Sequence, residues 1–93
     1  TVNAQTGTTY TTGAGDSSNI VTLNNAGAIT VTLSNLTAGS TTQFIQLGAG
    51  VVTFNTGTLT RRNVANLFTS AGQYSNISVT VVGTDAILSG DLS

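Results

Sequence analysis

The sequence predicts an all-β domain of about eight short, mostly antiparallel strands, arranged as a sandwich, a jelly roll or an open barrel. Three observations carry that expectation. Strand-like segments recur every 8–12 residues, separated by Gly, Asn, Asp and Ser punctuation. Several segments alternate apolar and polar residues strictly, as a half-buried strand does. Residues with weak helix propensity (Thr, Val, Ile and Asn) dominate the chain. Only "RRNVANLF", residues 61–68, has the composition for a turn of helix.

In chain order, the first predicted strand is "TTYTT" (8–12), closed by the turn "GAGDSS". "NIVTLN" (19–24) leads through "NAG" into the strand 28–34. There Ile29, Val31 and Leu33 alternate with Thr30, Thr32 and Ser34. "TQFIQL" (42–47) and "VVTFN" (51–55) flank "GAG", and a weaker strand lies near 58–61. The long "YSNISVTVV" (74–82) and "AILS" (86–89) complete the set around the turn "GTD". Connections this short favour antiparallel neighbours. Parallel coils of a β-helix are the other reading, and the absence of a fixed repeat length speaks against it. The alternating strands place Ile29, Val31 and Leu33, and likewise Ile77, Val79 and Val81, on core faces. "FIQL" and "VVTF" are apolar on both faces, which marks central strands or a subunit contact and makes Phe44 a candidate interface residue.

Length allows one domain over residues 1–93. The chain contains neither Cys nor His, so disulfides and the commonest metal ligand are absent, and no cofactor is implied. Oligomerisation is the remaining common way to stabilise so small a fold. The start at Thr1 fits a mature chain that has lost its Met and fits a cut fragment equally well. Lys, Arg, Asp and Glu make up 5% of residues, against roughly 25% in ordinary globular proteins. A net charge of −1 argues against nucleic acid and against an anionic membrane as partners. The apolar runs are too short for a membrane-spanning helix.

Lys and Pro, the usual guards of sheet edges, are missing altogether. The edges must then be covered by bulges, loops or a neighbouring copy. A face of Thr and Ser packs against protein without stripping water from ions, so Thr30 and Thr32 are candidate interface residues. Arg61 and Arg62 are the only cations, and as strand neighbours they point to opposite faces. They are expected either solvated or bound to a carboxylate or backbone carbonyl across a subunit boundary.

Catalytic signatures are lacking. "GAGVVT" (48–53) has too few glycines and no following helix for a phosphate loop, and reads as a tight hairpin turn. "GAGD" (13–16) reads as a loop in which Asp16 caps a turn. Asp16, Asp85 and Asp91 fall in separate turns with no Glu or His beside them. A nucleophilic serine would have no base. Tyr10 and Tyr74 read as strand residues with a polar tip. The expectation is a protein that is not an enzyme.

The runs "NAQTGTTYTT", "IVTLNNAGAITVTL", "IQLGAGVVTF" and "AGQYSNISVTVVGTDAILSGDLS" span nearly the whole chain. They resemble a small β-rich module of tailed-bacteriophage virion proteins, found in fibre-type and surface proteins. The chain departs from that pattern in the proline-free loop "SNLTAGSTT", in having no Trp before the closing Gly-Asp-Leu, and over residues 56–66. The resemblance implies a virion structural protein on the particle surface. Its form would be a capsid decoration (cement) protein, packing as a homotrimer against the major capsid protein or other virion proteins. The alternative is the tip of a tail or head fibre that binds a host glycan through its loops. No catalytic residue comes with the resemblance.

Overall fold

A computed structural model describes residues 2–93, and its strands wind between two facing sheets. β1 (Val2–Gln5), β3 (Ile20–Leu23) and β5 (Thr41–Gln46) lie in one sheet. β2 (Thr9–Thr11), β4 (Ile29–Leu33) and β6 (Val52–Thr56) form the other. Each pair β1–β2, β3–β4 and β5–β6 is thus one coil with a strand in each sheet. Successive coils stack in parallel: Val21 sits beside Asn3 and Phe44, and Val31 sits between Tyr10 and Phe54. β7 (Thr60–Arg62), β8 (Asn76–Val82) and β9 (Asp85–Gly90) then extend the first sheet to six strands, in the order β1-β3-β5-β8-β9-β7.

The all-β class holds, and the architecture within it differs from the expectation. The fold is a short parallel solenoid closed by an antiparallel hairpin, in place of a sandwich, jelly roll or barrel. The pairs β1–β3, β3–β5, β2–β4, β4–β6 and β7–β9 are parallel, and only β5–β8 and β8–β9 are antiparallel. Short connections do not force antiparallel neighbours here, because each one turns a corner into the opposite sheet. "GAGVVT" is accordingly a corner and not a hairpin turn.

The corners depend on close backbone contact. A Cβ on Gly50 would lie 1.8 Å from the Gly27 carbonyl oxygen, and one on Gly48 would lie 2.6 Å from the Asn25 nitrogen. The Gly50 N–H donates to the Asn25 carbonyl at 2.8 Å, and the Asn25 amide donates to the Thr6 carbonyl at 2.8 Å. Three successive corners are thereby tied together. At the opposite corner, Thr12 Oγ1 donates to the Ser34 carbonyl (2.7 Å) and accepts from the Ser34 N–H (2.8 Å). Ser34 Oγ in turn accepts from the Thr58 N–H at 3.1 Å.

Between the sheets lies an apolar core built from Val21, Leu23, Ile29, Val31, Leu33, Phe44, Val52, Phe54, Ile77, Val79, Val81 and Leu88. Phe44 and Phe54 meet edge to face across it, with ring centroids 5.2 Å apart. The expected core faces of β4 and β8 are correct. Phe44 is 1% exposed, so it belongs to the protomer's own core and is no interface residue. Strand β5 is central, between β3 and β8.

Residues 61–68 form no helix. Arg61 and Arg62 end β7, and Asn63 then organises a turn: its Oδ1 accepts the Ala65 and Leu67 N–H groups. Strand β8 starts two residues later than expected, because Tyr74 takes a left-handed φ of 68° that no strand accommodates.

Candidate interaction surfaces

Side chains that do not enter the core project from the outer faces of the two sheets. On the three-stranded sheet, register aligns Thr9, Thr30 and Thr53 in one row and Thr11, Thr32 and Asn55 in the next. An antiparallel bridge places Thr69 beside Thr53 and extends the first row. Thr30 and Thr32, expected on an outer face, are both half-buried in this array by their neighbours. Strands are spaced about 4.8 Å apart and alternate residues about 6.6 Å along each strand. The result is a small two-dimensional lattice of hydroxyl and methyl groups without charge.

The outer face of the six-stranded sheet is larger and more apolar. One row runs Val2, Ile20, Gln43, Ser78, Ser89, and the next runs Ala4, Thr22, Ile45, Asn76. No charged residue occurs on β1, β3, β5 or β8. The charges lie at the far margin, where Arg62 Nε and Asp85 Oδ1 are 3.4 Å apart and both side chains are exposed. So exposed a pair contributes little to stability.

The contact types expected of the two arginines both occur, but within the chain. Arg62 meets the Asp85 carboxylate. Arg61 Nη1 donates to the Phe54 carbonyl at 2.6 Å, and its guanidinium lies 4.2 Å from the centroid of the Phe68 ring. This arginine holds the segment after β7 against β6. There the Phe54 N–H donates to the Phe68 carbonyl and the Ser70 N–H to the Val52 carbonyl, each at 2.8 Å. The outer edge of β6 is therefore covered by residues 68–70, and that of β5 by β8. The edges of β1 and β2 have no strand neighbour among the described residues.

A polar layer closes the core at that end. Asn3, Gln5 and Tyr10 occupy the inward positions that Val21, Leu23 and Val31 fill one coil later. Asn3 Nδ2 donates to the Tyr10 hydroxyl (2.7 Å) and to Asp16 Oδ1 (2.9 Å). Gln5 Nε2 donates to Asn3 Oδ1 at 2.8 Å. The Tyr10 hydroxyl donates to Asp16 Oδ2, which also accepts the Gly13 N–H at 3.1 Å. Asp16 thus caps its turn as expected, and it also anchors a lid over the solenoid that the sequence reading missed. Burial, then the hydrogen bond and charge of Asp16, push the Tyr10 phenol up to about 12. Capping layers of this kind shield the end of a repeat fold.

The other two carboxylates are likewise occupied: Asp85 by Arg62, and Asp91 Oδ2 by the Asn76 N–H at 3.0 Å. The described residues bring together no group of three or more His, Cys, Asp or Glu side chains, and no helix among them is long and apolar enough to cross a membrane. Tyr74 is 69% exposed beside the third-coil corner, where its N–H donates to the Gln46 carbonyl at 2.6 Å.

Fold and surface together define a capped, two-sheet parallel β-solenoid whose strand-borne outer faces carry no charge apart from the Arg62–Asp85 pair at one margin. No protein-family model, curated protein or solved structure matches the chain. The likeness to phage modules therefore stands on the sequence runs alone.

Proposed function

We propose that this chain is a structural protein of a bacteriophage virion, a capsid decoration protein that packs as a homotrimer on the particle surface. The observation that supports this most is the nearly complete absence of charge from the outer faces of the two sheets. Exposed ions are the usual means of keeping a monomeric β-protein apart from its neighbours. Faces of Thr, Ser, Gln, Val and Ile pack against protein with little desolvation cost. Every Asp is engaged in holding a turn, a lid or an ion pair, which fits a binding role better than a catalytic one. Particles assembled without the chain test the reading. They should form normally but lose resistance to heat, and full resistance would contradict it.

Placement as a fibre-tip module that binds a host glycan is favoured by one feature, the exposed Tyr74 ring at a corner, since aromatic faces stack on sugars. In that case particles without the chain keep their heat resistance and fail to adsorb to cells.

A further inference from the structure

We propose that the first coil, residues 2–11, is a hinged lid that opens as one unit ahead of the rest of the fold, with the Asp16 carboxylate as its latch. Both of its strands, β1 and β2, are bonded on one side only among the described residues. None of residues 2–11 is buried, although the Tyr10 ring packs in part against the core. The apolar burial that holds the later coils together is therefore nearly missing from this one. Segments with few buried apolar contacts open at a lower free energy than the core does.

What holds the coil instead is polar and converges on one group. Asn3 of β1 and Tyr10 of β2 both donate to the Asp16 carboxylate, which stands outside the coil on the turn Ala14–Asp16. One side chain thus ties down both strands. Asp16 is itself fixed to the body of the fold, because its carbonyl accepts the buried Thr42 hydroxyl of β5 at 2.8 Å. The hinge is Thr12, which stays with the body: its N–H donates to the Thr32 carbonyl at 3.0 Å, and its hydroxyl is bonded twice to Ser34. Beyond the latch, the coil is held by the Asn25–Thr6 bond and by two short ladders of four and three residue pairs. Opening bares the edges of β3 and β4 together with Val21, Leu23 and Val31, whose neighbours in the lid are Asn3, Gln5 and Tyr10. The lid, and not the stability of the whole fold, then sets when this end can pair with another strand.

Residue-resolved amide exchange of the full chain, followed by NMR, tests this on adjacent residues. The Thr30 N–H donates into the lid, to the Thr8 carbonyl, and the Ile29 N–H donates away from it, to the Val51 carbonyl, each at 2.9 Å. Asn24 and Leu47 form a second such pair, bonded to the carbonyls of Gln5 and Leu23. Relative to their intrinsic rates, Thr30 and Asn24 should exchange more than about tenfold faster than Ile29 and Leu47. Val81→Ala, a cavity in β8 far from the lid, should speed Ile29 and Leu47 and leave Thr30 and Asn24 unchanged. Asp16→Asn should speed Thr30 and Asn24 by more than about tenfold, the effect of losing a hydrogen bond to a charged group. Tyr10→Phe, which removes the bond from β2, reads the latch in the same direction if Asp16→Asn does not fold. Equal protection of Thr30 and Ile29 in the wild type, or a common shift of both pairs in Val81→Ala, means that the coil opens only with the whole fold and overturns the proposal. Lid amides that ignore the loss of Asp16 and of the Tyr10 hydroxyl overturn the latch.

Discussion

Replacing Gly50 by alanine probes the stacking of coils at its tightest point. The new Cβ would stand 1.8 Å from the Gly27 oxygen, 2.5 Å from the Gly27 carbonyl carbon and 2.7 Å from the Asn25 oxygen. All three atoms are backbone, so no flexible side chain can move aside. Relief requires the third corner to lift off the second, which is an overpacking change of about 1–3 kcal/mol. It also removes the 2.8 Å bond from the Gly50 N–H to Asn25, adding about 1 kcal/mol. A loss of about 2–4 kcal/mol is a large part of the roughly 5–15 kcal/mol a small domain possesses. At about 4–8 °C per kcal/mol for this size, the melting temperature should fall by about 8–32 °C. Gly15→Ala is the control: a Cβ there meets nothing within 4 Å, and the change should stay within about 0.5 kcal/mol. Circular dichroism melts of the two variants read the difference. If Gly50→Ala melts within a few degrees of wild type, the corners are not stacked and the parallel-coil account is wrong.

Val31 is wholly buried between Tyr10 and Phe54, so Val31→Asp places an unpaired carboxylate in the core. The cost of several kcal/mol should leave the chain unfolded at room temperature by circular dichroism. Tyr10 gives a pH dependence. Its phenol binds a proton more tightly folded (about 12) than unfolded (about 10). The folded state therefore holds more protons between those values, and stability is fully present below about pH 10 and falls as pH rises toward about 12. Phenolate absorbance in a Tyr74→Phe background should show a midpoint well above 10 that returns to the ordinary value on denaturation. Tyr74→Gly should raise the melting temperature by a few degrees, because glycine accepts the left-handed φ of 68° without the side-chain clash.

The sequence made the strands and their inward faces legible because alternation is a local signal: Ile29, Val31 and Leu33 could only face one way. Parallel stacking was hidden because the coils differ in length. Val2 pairs with Ile20, 18 residues on, whereas Thr9 pairs with Thr30, 21 residues on. Only the later coils keep one interval, with Ile20 over Gln43 and Ile29 over Val52, both 23 apart. One trace of it was visible, the Ala26-Gly27 pair repeated as Ala49-Gly50. β1 escaped notice because its inward residues, Asn3 and Gln5, are polar, and the pairing that makes them a lid joins positions 13 residues apart. Thr30 and Thr32 were correctly placed on an outer face. For Phe44 the alternation left a central strand and a subunit contact both open, since apolar residues on both sides of a strand do not reveal which side is the core; the strand is central. The arginines found the partner types expected of them, but nothing in two adjacent cations tells whether the partner lies in the same chain.

The central claim is that a charge-free sheet face is there to be packed against. Binding of purified chain to particles that lack it, compared between wild type and Thr32→Lys, tests this most directly. The account predicts an unchanged melting temperature for Thr32→Lys, with particle binding lost because a desolvated ammonium finds no partner. A variant that melts normally and still decorates the particle as wild type does would contradict it.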